Sequence, residues 1–131
     1  MAGFTDYLED KVLDHVFGGN AYSAPGTLYV ALFTGAPSDT GGGTEVSGGS
    51  YARKSMAAMT VSGTSPTTAT NGAAVEFVTA TGSWGSVSHV AIMDASTSGN
   101  MLAWAALTAS KSVASGDIFR FSAGDLDITL A

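Results

Sequence analysis

Residues 27–34, TLYVALFT, decide the fold class of this chain. In an extended strand the side chains at 28, 30 and 32 point one way and those at 29, 31 and 33 the other way, and all of them are hydrophobic. A strand that is hydrophobic on both faces needs protein on both sides of it. Turn-forming sequences bound it, PG at 25–26 and GAP at 35–37. We therefore predict a central β-strand here.

The rest of the chain beyond residue 19 reads as short strands with turns between them. The clearest pair lies at 87–93 and 101–107, two alternating hydrophobic runs joined by DASTSGN at 94–100, which is typical of a β-hairpin. Further strands are predicted at 51–61, 73–79, 111–113, 118–123 and 126–130, with a polar loop at 62–72. We predict one mainly β domain over residues 1–131, an antiparallel β-sandwich of Greek-key or jelly-roll type.

One amphipathic α-helix is predicted near the amino terminus, over about residues 4–17. Thr5 can cap it, acidic residues follow where the helix dipole is positive, and Gly18-Gly19 ends it. A stripe at helical spacing is hydrophobic apart from Lys11 and His15. Either this stripe covers the protein's own sheet or it docks on a neighbouring protein, and the sequence leaves both open. The stripe residues predicted for an interface are Phe4, Tyr7, Leu8, Lys11, Val12 and Val16.

Residues 37–50, PSDTGGGTEVSGGS, predict a long, flexible and exposed loop, because a glycine-rich polar stretch has no hydrophobic face to bury. Such a loop, once ordered, can wrap a neighbour and form backbone hydrogen bonds with it. The residues of this region that are predicted to contact a partner are Asp39, Glu45, Val46, Tyr51 and Arg53.

Composition limits the classes of function. Only 12% of the residues are charged, against 45% hydrophobic, which is typical of a compact domain with a lightly charged surface. The net charge of −6 and the scattered Lys and Arg residues argue against nucleic-acid binding. The chain has no cysteine for a disulfide or a thiolate site, no hydrophobic run of transmembrane length and no signal-peptide layout. We expect neither a nucleic acid nor a membrane as partner.

The ionisable residues form no recognisable catalytic or metal-binding motif. His15 lies on the helix stripe and His89 in a strand, without a G-x-S-x-G sequence. Asp125 and Asp127 alternate along one strand, which is typical of a solvated edge, and no acidic run has calcium-loop spacing. We predict no enzyme, no metal site and no cofactor.

The two tryptophans are the residues that could contact a sugar. Trp84 lies in the glycine-rich turn GSWG at 82–85, where a buried corner position is favoured; of the two tryptophans it is the candidate for an exposed aromatic contact. Trp104 lies in a hydrophobic strand and is predicted to be part of the core.

Several segments resemble a family of small tailed-bacteriophage virion proteins. They are YLEDKVLDHVFGG at 7–19, TLYVALFTGAPSD at 27–39, GGGTEVSGGSYAR at 41–53, HVAIMDASTSGNMLAWAALT at 89–108 and GDIFRFSAGDLDITL at 116–130. Members are often labelled phage tail fibre proteins, and the family includes capsid decoration, or cement, proteins. The resemblance covers nearly the whole chain and brings no catalytic motif with it.

The resemblance implies a virion structural protein, assembled in the host cytoplasm. The first hypothesis is a cement protein on the outer head surface, with the major capsid protein as partner and self-association, as a homotrimer matching local threefold axes. The second hypothesis keeps the protein in the virion but places it in the tail, as a fibre or adaptor protein bound to other tail proteins. The third is a carbohydrate-binding sandwich built from Trp84, Tyr51 and the loops at 37–50 and 94–100.

Overall fold

The computed structural model describes residues 3–130. In chain order its elements are β1 (Gly3–Phe4), α1 (Asp6–Val16), β2 (Leu28–Gly35), β3 (Thr44–Glu45), β4 (Lys54–Met56), β5 (Thr60–Ser62), β6 (Thr67–Thr70), β7 (Val75–Glu76), β8 (Gly85–Met93), β9 (Met101–Val113), β10 (Arg120–Phe121) and β11 (Asp127–Leu130). The strands pair antiparallel throughout. The predicted class, a mainly β antiparallel fold with one helix near the amino terminus, is confirmed.

Strand β2 lies in the middle of the largest sheet, as its two hydrophobic faces predict. The strand order is β1-β9-β8-β2, and the short strands β3 and β4 pair with the two ends of β2 on its other side. Val30 and Leu32 belong to one hydrophobic cluster, whereas Ala31 and Phe33 belong to a second one, and all four are buried. The alternation in the sequence therefore specifies two packed faces.

The first cluster is the main core, and all three sheets contribute to it. The smaller sheets are β7–β10 and β5–β6–β11. Val75 and Phe121 come from β7 and β10, Leu126 and the half-buried Ile128 come from the segment around β11, and Val90 comes from the large sheet. Burying these side chains against one another is the dominant favourable term in folding.

The predicted hairpin is β8–β9, and it is longer than the sequence pattern indicates. Strand β9 continues to Val113, so the separate strand predicted at 111–113 is its end. Lys111 pairs with Val87 and Ala106 pairs with His89, which leaves residues 107–110 opposite a single residue of β8. This β-bulge bends the strand and hides its continuity in the sequence.

Two other sequence predictions are wrong. The strand predicted at 51–61 is two strands, β4 and β5, which belong to different sheets. The polar loop predicted at 62–72 contains β6, whose sequence TTAT has the β-branched threonines that fit a pleated strand without being hydrophobic. Polarity concealed this strand.

Asn71 shows how a polar residue can be structural in this fold. It is buried, its Nδ2 donates to the carbonyl oxygens of Ala73 and Ser122, and its Oδ1 accepts from the amide of Leu126. The side chain thereby joins the end of β6 to the segments before β7 and β11. A buried amide with its donors and acceptor satisfied costs little and fixes these segments relative to one another.

Candidate interaction surface

The amino-terminal helix begins later than predicted. Phe4 is not helical but belongs to β1, where it pairs with Ala103 on the edge of β9. Helix α1 begins at Asp6 and ends at Val16, so the predicted span of about 4–17 is corrected at both ends. Because β1 is hydrogen-bonded to the sheet, the chain enters the helix from a fixed position.

Thr5 anchors the helix to the sheet. It is buried, its backbone amide donates to the carbonyl of Leu102 at 2.9 Å, and its hydroxyl donates to the carbonyl of Met101. The same hydroxyl accepts from the amide of Leu8 at 3.4 Å, which is the N-cap interaction predicted from the sequence. One side chain therefore serves both the helix end and β9.

The predicted helix stripe faces the protein itself. Tyr7 and Leu8 are half-buried and pack against the main core, and Val12 is also half-buried. The ammonium group of Lys11 lies 5.7 Å from the centre of the Tyr7 ring, within cation–π range. Of the helix residues predicted for an interface, only Val16 is well exposed.

The outward side of the helix exposes three hydrophobic residues, of which the sequence analysis selected Val16 but not Leu13 or Phe17. Leu13 is 59% exposed, Val16 is 60% exposed and Phe17, the C-cap, is 82% exposed. Their spacing, i, i+3 and i+4, places them on one side of the helix, and exposed carboxylates lie on the same side nearer its start. We define the outer helix face as Asp6, Glu9, Asp10, Leu13, Val16 and Phe17.

A signal for this face was present in the sequence. Leu13 and Phe17 are hydrophobic residues four apart that do not belong to the stripe, so they fall on the side of the helix that should be polar. When a helix has hydrophobic residues on a second side, those residues either pack against another part of the protein or are exposed to solvent.

The predicted loop at 37–50 is exposed over most of its length, as expected, but it is also hydrogen-bonded to the rest of the protein. The carbonyl of Asp39 accepts from the amide of Asp6 at 2.8 Å, and its carboxylate accepts from Nε1 of Trp104 at 3.1 Å. Strand β3 pairs with β2 within this stretch. Val46 donates its amide to the carbonyl of Leu32 and is buried in the main core, so its side chain is not available to a partner.

Arg53 closes this region against the β8–β9 loop. Its Nε and Nη2 each donate to the carboxylate of Glu45 at 2.9 Å, and its Nη1 donates to the carbonyl oxygens of Ala95 and Ser98 at 2.9 and 2.8 Å. Only 9% of its side chain is exposed. The hydrogen-bonded Glu45 carboxylate raises the pKa of Arg53 further. We call Glu45, Tyr51 and Arg53, with the two carbonyl groups, the Arg53 clasp.

Tyr51 completes the clasp by joining Glu45 to strand β2. Its hydroxyl donates to Oε2 of Glu45 at 2.8 Å and accepts from the amide of Leu32 at 2.9 Å. Burial raises the pKa of Tyr51 well above its usual value, the carboxylate of Glu45 adds to this shift, and the Leu32 amide opposes it. The phenol is therefore held neutral and both of its hydrogen-bonding roles are used within the protein.

Several predicted interface residues meet around one open groove of about 530 Å³. Phe33, Met93 and Met101 line it and belong to the second hydrophobic cluster. The polar residues that line it include Tyr7, Asp39, Glu45 and Arg53, all of which were predicted as contact residues. The sequence therefore indicated residues that converge in space, although most of their polar atoms already have partners within the protein.

Trp84 is buried, which confirms the favoured buried corner and shows that the candidate exposed aromatic contact is wrong. Its side chain is 3% exposed, its Nε1 donates to the carbonyl of Gly49 at 2.9 Å, and its ring meets that of Tyr51 edge-on at 5.3 Å. A Cβ at Gly49 would lie 2.9 Å from Nε1 of Trp84, so glycine is required there. The sugar site drawn around Trp84 and Tyr51 does not form.

Trp104 is half-buried and packs against the second hydrophobic cluster, with its indole held by Asp39. His89 lies with its ring 6.0 Å from that of Trp104 and its Nδ1 2.7 Å from the hydroxyl of Ser88. Ser88 and His89 are consecutive in β8, where neighbouring side chains leave opposite faces of the strand. The short distance therefore follows from their being adjacent in the chain, and it does not indicate a catalytic pair.

Between residues 3 and 130, no group of His, Asp and Glu side chains is arranged to hold a metal ion. In the same part of the chain, no helix has the length and hydrophobicity needed to span a bilayer.

The comparison with protein families identifies the chain's relatives. Residues 3–129 match the sequence profile of Gp80, described as podophage GP4 fiber I protein gp80. The chain belongs to the Gp80 family. It is thus a phage structural protein of the fibre type and is associated with the virion, in agreement with the resemblance seen in the sequence. No curated protein matches the chain.

Proposed function

We propose that this protein is a non-enzymatic structural subunit of the phage fibre apparatus, which works by contact with other tail proteins. The observation that carries the proposal is the match to the Gp80 family over residues 3–129, since that family is described as a fibre protein. The match extends over nearly all the elements of the fold. The proposed function of the protein therefore rests on the whole chain and not on one motif.

The polar groups of the fold support a structural role. Glu45, Tyr51 and Arg53 converge and bind one another, and the buried Asn71 elsewhere in the fold binds backbone groups, as a rigid block requires. Catalytic residues, in contrast, keep a polar atom directed at a substrate. The work of this chain is then done by its surface.

A second candidate is a capsid decoration protein, bound to the major capsid protein on the outer surface of the head. The observation that favours it is the main core, to which all three sheets contribute, so that the fold is a block and not an extended repeat. Such a block can be laid many times on a lattice, and a homotrimer would match local threefold axes.

The number of copies in purified particles distinguishes the two candidates. A fibre subunit is expected in a small number of copies that separate with the tails, whereas a decoration protein is expected in numbers comparable with the major capsid protein on tailless heads. Densitometry of separated heads and tails measures this. Light scattering of the purified protein tests the homotrimer, whose mass would be three times 13.1 kDa. Absence from both fractions would overturn the proposed function.

A further inference from the structure

We propose that the outer helix face is a docking surface for a different virion subunit, one that offers a hydrophobic pocket bordered by Lys or Arg. The proposal rests on the proposed function, because it names the surface and the kind of partner through which a structural subunit would be attached. Its observations are the exposure of Leu13, Val16 and Phe17 and the carboxylates beside them.

The hydrophobic end of this face has no structural use within the protein. Phe17 follows the last helical residue, and the helix end needs only its backbone amide, which donates to the carbonyl of Leu13 at 2.8 Å. A side chain that is 82% exposed contributes little to folding. Large aromatic residues dominate the energetics of interfaces when they enter a pocket, so Phe17 is the natural anchor.

The acidic end of the face determines the character of the partner. Asp6, Glu9 and Asp10 are exposed, and the ion pairs described between residues 3 and 130, Glu45–Arg53 and Glu76–Arg120, do not involve them. Glu9 and Asp10 precede Phe17 by about two turns, or roughly 10–12 Å along the axis. A complementary surface therefore has a hydrophobic pocket with basic side chains about this distance from it.

A second copy of the chain does not fit this description through the same face. If two such helices packed parallel, the carboxylates of one would lie against those of the other. If they packed antiparallel, the carboxylates would be desolvated against Leu13 and Phe17 of the partner copy, which is costly without a counter-charge. The basic residue of the helix, Lys11, is on the other side, over the ring of Tyr7. Charge complementarity thus disfavours a symmetric pair of copies joined through this face, whereas a pocket with a basic border on a different subunit meets both requirements.

The test compares particles assembled in cells that supply either the wild-type protein or a variant. The double variant Leu13→Ser/Phe17→Ser removes the hydrophobic end, and Val61→Ser is the matched control, since Val61 is 67% exposed on β5, outside the helix. We expect about a tenfold or greater loss of copies per particle for the double variant and no loss for the control. Equal copy numbers for the double variant and the wild type would overturn the proposal.

A second pair of changes, Glu9→Gln/Asp10→Asn, tests the charged end. We expect fewer copies per particle and a weaker dependence of retention on NaCl than in the wild type, because the exposed charges are screened by salt. Unchanged salt dependence would overturn the basic border. If light scattering shows a wild-type oligomer that Phe17→Ser dissociates, the occupant is a second copy and the proposal is wrong.

The two proposals can fail separately. Absence of the wild-type protein from particles contradicts the proposed function, whereas its presence together with full incorporation of the double variant contradicts only the docking surface. Thermal unfolding of each variant confirms that it is folded. If the double variant does not fold, the single changes Val16→Ser and Phe17→Ser give the same readout.

Discussion

The Arg53 clasp and the outer helix face differ in how their side chains are used within the protein. In the clasp, Glu45, Tyr51 and Arg53 use their polar atoms on one another and on backbone carbonyls. On the helix, Leu13 and Phe17 are left in solvent. The first region contributes to folding and leaves little for a partner, whereas the second contributes little to folding and is free to bind.

The comparison teaches that residue type does not by itself indicate a contact residue. Charged and aromatic residues in a glycine-rich loop look available, but a loop must also hold itself against the fold. Here Arg53 does so by joining β3 to the β8–β9 loop. On the outer helix face, in contrast, hydrophobic residues are exposed, on the helix and at its C-cap.

The change expected to have the largest effect on stability is Trp84→Ala, which removes the support beneath the clasp. The free energy of unfolding should fall by about 3–5 kcal/mol, because a large buried ring is lost and the Gly49 carbonyl loses its donor. Urea unfolding measures the change. A loss below about 1 kcal/mol would show that the ring is not a core element.

Next in size is Arg53→Ala. It leaves the carboxylate of Glu45 without its cation and two loop carbonyls without their donor, so we expect a loss of about 2–4 kcal/mol in the free energy of unfolding. The matched control is Arg120→Ala, whose ion pair with Glu76 is exposed and 3.7 Å long. The control should change stability by less than about 0.5 kcal/mol. Equal effects of the two variants would contradict the clasp.

The raised pKa of Tyr51 should make the free energy of unfolding depend on pH in the alkaline range. Its pKa is raised in the folded protein relative to an ordinary value of 10.0, so the folded state holds the phenolic proton more tightly than the unfolded state. This contribution is fully present below pH 10 and is lost as the pH rises above it. The wild type should therefore lose more stability than Tyr51→Phe between about pH 10 and 11. Urea unfolding at each pH measures this. If the free energies of unfolding of the two proteins change equally with pH in this range, the raised pKa is contradicted.

The smallest effect on stability is expected for Phe17→Ser. Because the ring is 82% exposed, the free energy of unfolding should stay within about 0.5 kcal/mol of the wild type in the same urea experiment. Combined with a loss of incorporation into particles, this result would separate binding from folding at one residue. A large loss of stability would show instead that Phe17 packs on the protein.

The sequence predicted the fold best where hydrophobic residues alternate. The two faces of β2 and the β8–β9 hairpin could be recognised because most of the hydrophobic residues in them are buried in one of the two clusters or pack against it. The helix was recognisable from its cap and its stripe, although Phe4 was assigned to it and not to β1. A two-residue strand has no period, and only its pairing with β9 defines it.

The sequence could not reveal the parts of the fold that depend on polar contacts between distant residues. Strand β6 is made of threonine and alanine, and the position of Asn71 depends on backbone groups more than 50 residues away. The burial of Trp84 depends on the close approach of Gly49. The sequence does not distinguish this glycine from the many others. The outer helix face did leave a signal in Leu13 and Phe17, but the burial of Val46 and Arg53 could not be foreseen, since it depends on which distant segments fold over them.

The position of Thr5 has a mechanical consequence. Tension applied at Phe17 would pass along the axis of α1 to Thr5 and from there into β9, through the bonds that its amide and hydroxyl make to Leu102 and Met101. The adjoining strand β1 shares this load with the edge of the largest sheet. The start of the helix thus couples a load on Phe17 to the largest sheet, and weakening Thr5 would loosen this coupling while the strands themselves stay paired.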